Sequence, residues 1–259
     1  MNILGIRIDC VTKETALERV SEFFINKKQN KIFTPNPEMI VDASRDSNLK
    51  TILNRGDLNI CDGFGIKLAH ILSLQGAKRH NNFILERIPG VDFMLDICKL
   101  TEEQRRSVYF LGSGNQETLK KLKENIQQQF PNLKIVGAHP GNKLQITNYK
   151  LQLNEEENND LISDIVMHSP DILFVAFGHG KQEYWIDQYL SELPSIKVAM
   201  GVGGAFDFVS GKVRRAPRLI RKIGLEWLYR LFREPRRLGR IWKATAVFML
   251  YFVKSAIKN

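Results

Sequence analysis

The chain has 259 residues, of which 43% are hydrophobic, and its formal net charge is +10 at pH 7. This length and composition allow one large α/β domain with a sizeable core and exclude a chain that is disordered as a whole. Its three cysteines, Cys10, Cys61 and Cys98, are odd in number and lack CxxC spacing. They therefore indicate neither a disulfide framework nor a zinc site.

The amino terminus does not have the pattern of a signal peptide. Its first residues include an acid, Asp9, and contain no long apolar stretch and no small-residue cleavage site. We therefore expect the protein to stay in the cytoplasm.

Short apolar runs alternate with amphipathic stretches through the first 210 residues. The predicted strands are ILGIRI (3–8), KIF (31–33), LNIC (58–61), SVYFL (107–111), LKIVG (133–137), DILFVAF (171–177) and IKVAM (196–200). The clearest predicted helices are 14–28, 37–46 and 116–130. This alternation predicts an α/β fold with a Rossmann-like, mainly parallel sheet and helices on both faces. The polar segment 142–159 predicts a loop with some helix.

The pattern changes near residue 212, so we predict an α/β domain over 1–211 and a basic helical appendage over 212–259. The appendage holds 14 of the 38 Lys and Arg residues but only two of the 28 acids. Apolar residues recur in it at helical spacing, namely Leu219, Ile220, Ile223, Trp227, Leu228, Leu231 and Phe232. Pro217 suits a first helical turn, and Pro235 predicts a break or bend.

A strongly basic appendage predicts an anionic partner, either nucleic acid or a membrane surface. Its apolar stretch 244–253 has ten residues, whereas spanning a bilayer takes about 20. Large apolar side chains mixed with bases are typical of helices that lie in a membrane interface, and phosphate binding does not need them. We therefore predict an anionic membrane surface as the partner and no nucleic acid, keeping a nucleic-acid-binding protein as the alternative.

Polar residues that follow predicted strands are candidates for a site, because parallel sheets bind ligands at the carboxyl ends of their strands. Asp62 follows a strand and precedes glycines, so it is the candidate base, although an Asp there could equally cap a helix. The other candidates of this kind are Thr34, Asn36, Gln182, Gly203, Gly204 and Asp207. Each of them also suits an ordinary turn.

Groups for binding phosphate are present, but the usual metal motif is not. Gly112 and Gly114 precede a predicted helix, whose first N–H groups could bind a phosphate. They do not form a GxGxxG fingerprint, which argues against the second alternative, a nucleotide-sugar epimerase or dehydrogenase. The sequence has no Asp-x-Asp pair to hold a divalent metal on a diphosphate. We therefore expect no metal and no other cofactor, with Arg87, Arg214 and Arg221 as candidate cations.

In addition, the sequence resembles the TagA/WecG/CpsF family of bacterial glycosyltransferases, glycosyltransferase family 26, along nearly its whole length. The matching motifs are TPNPEM (34–39), DGFG (62–65), ERIPGVD (86–92), FLGSG (110–114), PNLKIVG (131–137), PDILFVAFGHGKQEYWI (170–186), GVGGAFDFVSGKVRRAP (201–217) and GLEWLYRLFREPRR (224–237). The chain departs from the family pattern at Gly180, where proline is usual, and at Asn142, where an aromatic residue is common. Both departures concern the identity of the donor sugar.

The resemblance implies inverting transfer of N-acetylmannosamine, or a related hexose, from a UDP-sugar to undecaprenyl-diphosphate-linked N-acetylglucosamine. Such transfer serves teichoic acid linkage units and related surface polysaccharides. The resemblance makes Asp62 the base, places Thr34, Asn36 and Gln182 around the sugars, puts Arg87 near the diphosphate and has appendage arginines close over the site. It also implies a peripheral protein on the inner face of the cell membrane. The sequence leaves the oligomeric state open, with a homo-oligomer as one option.

Overall fold

The computed structural model describes residues 1–76, 85–141, 145–147, 150–152, 154–222, 224–234, 236 and 238–258. The strands are β1 (Asn2–Ile3), β2 (Ile6–Arg7), β3 (Asn30–Phe33), β4 (Leu58–Asn59), β5 (Ser107–Gly112), β6 (Lys134–His139), β7 (Gln145–Thr147), β8 (Lys150–Gln152), β9 (Ile172–Ala176) and β10 (Val198–Gly201). Six of them form one sheet in the order β4-β3-β10-β9-β5-β6. All of its neighbouring strands are parallel.

Helices connect the strands and cover the sheet. They are α1 (Lys13–Ile25), α2 (Pro37–Ala43), α3 (Ser47–Asn54), α4 (Phe64–Gly76), α5 (Gly90–Glu103), α6 (Gln116–Gln129), α7 (Glu155–His168), α8 (Lys181–Tyr189) and α9 (Ala205–Val209). The appendage adds α10 (Arg218–Lys222), α11 (Glu226–Arg233), α12 (Leu238–Trp242) and, after a π-helical turn at Lys243–Val247, α13 (Phe248–Lys258).

Both faces of the parallel sheet are buried. Successive residues of a strand point to opposite faces, so Tyr109 and Leu111 join one hydrophobic cluster while Val108 and Phe110 join the other. β5, β9 and β10 are buried throughout. Helices on both faces explain why these strands are apolar without alternation. The predicted Rossmann-like α/β fold is therefore confirmed.

The amino-terminal strand was predicted as one element over 3–8, and this prediction is wrong. The chain instead forms an antiparallel hairpin of β1 and β2, with Asn2 opposite Arg7. Leu4 and Gly5 have φ angles of 51° and 84°. This left-handed turn reverses the chain, which a continuous strand cannot do. The hairpin lies outside the six-stranded sheet.

The polar segment 142–159 contains more regular structure than the predicted loop with some helix. β7 and β8 pair in antiparallel orientation. α7 then begins at Glu155, because the side chain of Asn154 accepts hydrogen bonds from the N–H groups of Glu156 and Glu157. Asn142 lies outside the described residues.

The apolar stripe of the appendage is divided between two helices, because α10 ends before Gly224, whose φ angle is 81°. Ile223 and Pro235 lie outside the described residues. Phe248 of α13 is 0% exposed and belongs to the cluster on one face of the sheet. The boundary at residue 211 stays a prediction, although the appendage does contribute this side chain to the core. Within the described residues, no helix is both long and apolar enough to cross a membrane.

Candidate active site

A cleft of about 730 Å³ opens at the carboxyl ends of the parallel strands. It lies there because all six strands of the sheet end at the same edge. Among its lining residues are the predicted Thr34, Asn36, Asp62, Gly114, Gln182, Gly203, Gly204 and Asp207. The structure thus brings together candidates that lie as much as 173 residues apart between Thr34 and Asp207. Their roles stay predictions.

Asp62 lies where three loops of the cleft meet. Its Oδ2 accepts a hydrogen bond of 3.4 Å from the N–H of Gly90. A Cβ atom at Gly90 would lie 3.5 Å from this oxygen and 3.4 Å from Thr34 Cγ2, so the three residues are neighbours. In the described part of the chain, Asp62 accepts no hydrogen bond from α4, and the helix-capping alternative is not realised.

The pKa of Asp62 is raised to about 6. The main cause is burial, which disfavours the charged carboxylate, while the Gly90 N–H and the positive charge of Arg87 partly oppose it. A carboxyl group with this pKa is ionised at neutral pH and binds a proton more readily than an exposed aspartate. These are the properties of a general base.

A second cavity of about 470 Å³ adjoins the cleft beneath the appendage. Both cavities are lined by Asn36, Asp62, Gly90, Val91, Phe208 and Arg240. The walls of the second cavity are mostly apolar and include Phe64, Leu68, Trp227, Ile241, Ala244, Phe248 and Met249. Asp62 therefore lies on the boundary between a polar cleft and an apolar cavity.

The predicted arginines occupy different places. Arg87 lines the apolar cavity and donates to the backbone carbonyl of Arg221 at 2.7 Å, which links the body to α10. Arg221 donates to the carbonyl of Ala216 and lies 3.7 Å from Asp92. Arg214 is exposed and lines neither of the two cavities. The roles predicted for Arg214 and Arg221 remain untested.

Arg215, an appendage arginine that is not among the candidate cations Arg87, Arg214 and Arg221, lines the apolar cavity, whereas Arg214 does not. The Arg215 guanidinium donates to both carboxylate oxygens of Asp92 and lies 3.7 Å from Glu226. A run of neighbouring bases does not reveal which member turns inward, because that depends on the turn leading into α10.

Gly112, at the end of β5, and Gly114, just after it, have separate roles. A Cβ atom at Gly112 would lie 2.7 Å from the backbone of Ala176, so Gly112 permits the close approach of β5 and β9. Gly114 lines the cleft, but its N–H donates to the carbonyl of Pro140 at 2.8 Å. This N–H is therefore occupied in the structure.

The loop after β10 meets the start of α8. Gln182 is 2% exposed and accepts a hydrogen bond of 2.9 Å from the N–H of Gly203. Asp207, in the first turn of α9, forms an ion pair of 3.0 Å with Lys212. The predicted Gln182, Gly203, Gly204 and Asp207 thus form one wall of the cleft.

Two cations of the cleft were not predicted as site residues. Lys181 lines the cleft, and its side chain makes no ion pair with any residue that the structure describes. Arg240 reaches the cleft from α12 and binds Glu38, with Nη2 2.9 Å from Oε2. No sequence pattern singles out Arg240, since it is one of many bases in the appendage.

Glu38, Asp42 and His179 form a cluster beside the cleft whose ligand atoms lie within 4.8 Å of one another. This spacing would suit a metal ion. However, the carboxylates already have cationic partners, because Arg240 binds Glu38 and Lys243 binds Asp42 at 2.7 Å. The described contacts are therefore those of an ion-pair cluster that joins the appendage to α2.

The whole chain is similar to known proteins. Residues 1–259 match the family model described as "Glycosyl transferase WecG/TagA/CpsF family". The chain is also 29% identical over 260 residues to proteins of Staphylococcus aureus strains MW2, MRSA252 and NCTC 8325, covering 100% of this chain and 94% of each relative. These relatives are named N-acetylglucosaminyldiphosphoundecaprenol N-acetyl-beta-D-mannosaminyltransferase.

Proposed function

Since this chain belongs to the WecG/TagA/CpsF family of glycosyltransferases, we propose that it transfers N-acetylmannosamine, or a related hexose, from UDP to undecaprenyl-diphosphate-linked N-acetylglucosamine. The proposed transfer inverts the anomeric carbon and serves a teichoic acid linkage unit or a related surface polysaccharide. The names of the Staphylococcus aureus relatives support the acceptor and the mannosaminyl group. The UDP donor is part of the proposal.

The position of Asp62 between two cavities of different polarity is the main support from the structure. A nucleotide-sugar is polar and anionic, so the cleft with its amide side chains and cations suits the donor. The acceptor carries a long hydrocarbon chain, so the apolar cavity beneath the appendage suits the lipid side. The sugars would then meet at the shared wall, where Asp62 lies close to Thr34 of the cleft.

The proposed chemistry is a single displacement. The acceptor hydroxyl attacks the anomeric carbon, its proton passes to the Asp62 carboxylate, and the bond from this carbon to the diphosphate oxygen breaks as UDP leaves. Lys181, Arg240 and Arg87 are the cations near these cavities that would stabilise the departing charge. Family membership favours this reading over a nucleic-acid-binding protein and over an epimerase or dehydrogenase.

We also propose that the appendage seats the enzyme on the anionic inner face of the cell membrane. Leu219, Phe232, Leu238 and Trp242 are each more than 60% exposed. They lie among the appendage bases, which combines apolar contact with charge attraction. This location would bring the apolar cavity next to the lipid that carries the acceptor.

The donor is tested by supplying the purified protein with a panel of UDP-sugars and a short-chain lipid-diphosphate N-acetylglucosamine. We expect UDP-N-acetylmannosamine to give a disaccharide product and release of UDP, measured by mass spectrometry. Transfer of glucose or an acidic mannosamine instead would correct the sugar. Failure of every UDP-sugar, with turnover of another nucleotide-sugar, would contradict the UDP donor.

A metal-free mechanism predicts that excess EDTA leaves the transfer rate within about twofold of its untreated value. The reason is that cationic side chains, and not a metal on an Asp-x-Asp pair, would neutralise the diphosphate. The measurement is the initial rate before and after EDTA, followed by addition of Mg²⁺ or Mn²⁺. A loss that either metal restores would overturn the metal-free proposal, and Glu38→Gln would then test whether the cluster with Asp42 and His179 binds it.

A further inference from the structure

Glu183 is a buried carboxylate with no cation bound to it among the described residues. Its side chain is 0% exposed. Two N–H donors hold it: the backbone of Gly180, at 2.7 Å from Oε2, and the side-chain Nε2 of Gln182, at 2.8 Å from Oε1. Burial raises the pKa of Glu183, whereas the Gln182 hydrogen bond lowers it. Burying a carboxylate without a cationic partner costs free energy, so a function is expected for the hydrogen bonds that hold Glu183 in place.

The hydrogen bonds of Glu183 continue into the cleft wall. Gln182 donates from Nε2 to Glu183, while its Oε1 accepts from the N–H of Gly203. The hydrogen bonds to Glu183 and Gly203 therefore fix which side of the Gln182 carboxamide carries the oxygen and which carries the nitrogen. The second N–H of Nε2 remains the group that Gln182 can offer to a ligand, since an amide nitrogen carries two hydrogens.

From this chain of bonds we infer that Glu183 is a positioning residue for sugar transfer, which holds the Gln182 carboxamide in the orientation that the substrate requires. This inference rests on the proposed function. Glu183 is buried, is not among the residues that line the cleft, and would act through Gln182. Close packing supports it, because a Cβ atom at Gly201 would lie 2.6 Å from Gln182 Nε2, so the amide has little room to move aside.

Position 183 requires a side chain that accepts two hydrogen bonds, because the Gly180 N–H and the Gln182 Nε2 both donate to it. A carboxylate accepts at both oxygens, whereas a glutamine can accept at only one. In Glu183→Gln the new amide oxygen can still accept from Gly180, which keeps the cap at the start of α8. Its NH₂ group then faces the NH₂ group of Gln182. If Gln182 turned over, its own NH₂ would face the N–H of Gly203, so either arrangement leaves two donors opposed.

We expect Glu183→Gln to lower kcat/KM for the nucleotide-sugar by about tenfold or more, close to the loss in Gln182→Ala, because a misplaced binding group costs much of its effect. Adding Glu183→Gln to Gln182→Ala should cost no more than about twofold further, since both changes remove one interaction. If the two losses multiply in the double variant, Glu183 does not act through Gln182 and the inference is wrong.

A swapped variant separates positioning from mere stability. In Gln182→Glu with Glu183→Gln, the hydrogen bonds from the Gly203 and Gly180 N–H groups can form again, the bond between positions 182 and 183 forms with donor and acceptor exchanged, and the net charge is unchanged. We expect its Tm to recover toward wild type while its activity stays near that of Gln182→Ala, because the N–H offered to the ligand is gone. Recovery of activity would mean that Glu183 has only a structural role, which overturns the inference.

The orientation of Gln182 can be measured without any turnover. In ¹⁵N NMR spectra, the side-chain amide signals of Gln182, identified by their loss in Gln182→Ala, should move in Glu183→Gln. Unchanged signals would overturn the inference. Should the wild-type protein transfer no UDP-sugar, the proposed function would fail while this measurement still decided whether Glu183 orients Gln182.

Discussion

Replacing Asp62 with asparagine should lower kcat by on the order of a hundredfold or more, because a general base commonly contributes a factor of this size. The amide is nearly the same shape and can still accept from the N–H of Gly90, so the cleft should keep its form. Initial rates with the short-chain acceptor measure the effect. Turnover near the wild-type rate in folded Asp62→Asn protein would show that the base lies elsewhere.

The same substitution should make the fold more stable at neutral pH. The folded pKa of Asp62 is about 6 and its ordinary value is 3.8. The folded protein therefore binds more protons than the unfolded chain between these values, and stability falls as the pH rises through them. Above about pH 6 the ionised group costs on the order of 3 kcal/mol.

Thermal unfolding of wild type and Asp62→Asn from pH 4 to pH 8 tests this cost. We expect the variant to have the higher Tm at pH 8, with the difference shrinking toward pH 4, where the wild-type carboxyl is protonated in the fold. Wild-type kcat should also fall as the pH drops below about 6. A variant that is less stable than wild type at pH 8 would show that burial of the ionised Asp62 does not destabilise the fold. This result would weaken the assignment of Asp62 as the base.

Removing the appendage after Gly211 should weaken both membrane binding and catalysis. Each base near an anionic surface contributes roughly 1 kcal/mol, and the exposed apolar side chains add more, so vesicle binding should fall at least tenfold. Turnover of a soluble acceptor should also fall by about tenfold or more. The reason is that Arg87 loses its contact with Arg221, and the apolar cavity loses Arg215 and Arg240.

This truncation needs a control for stability, because Phe248 leaves the core. Full burial of such a side chain contributes about 2 to 3 kcal/mol. A shorter truncation after Phe252 is the matched control, since it keeps Phe248 and every arginine of the appendage. We expect it to retain most of the soluble-acceptor activity. If the chain ending at Gly211 turned over this acceptor at the full rate, the appendage would be an anchor only.

Local patterns in the sequence determined the architecture and most of the cleft. Strands that are apolar throughout predict burial on both faces, and parallel strands ending at one edge place Thr34, Asp62 and Gln182 together. The chemistry of the same residues made Asp62 the candidate base, with helix capping as the alternative. The resemblance to known glycosyltransferases added the substrates, which no spacing or composition shows.

Tertiary structure decided what depends on contacts between distant segments. The pKa of Asp62 comes from its burial and from Gly90 and Arg87. Arg215 and Arg240 look like their neighbours in a basic segment until the helices place them against Asp92 and Glu38. Glu183 reads as an ordinary helical glutamate until its burial beside Gln182 is seen. A sequence records which groups are available, whereas the free energy of a charge depends on the groups that the fold brings around it.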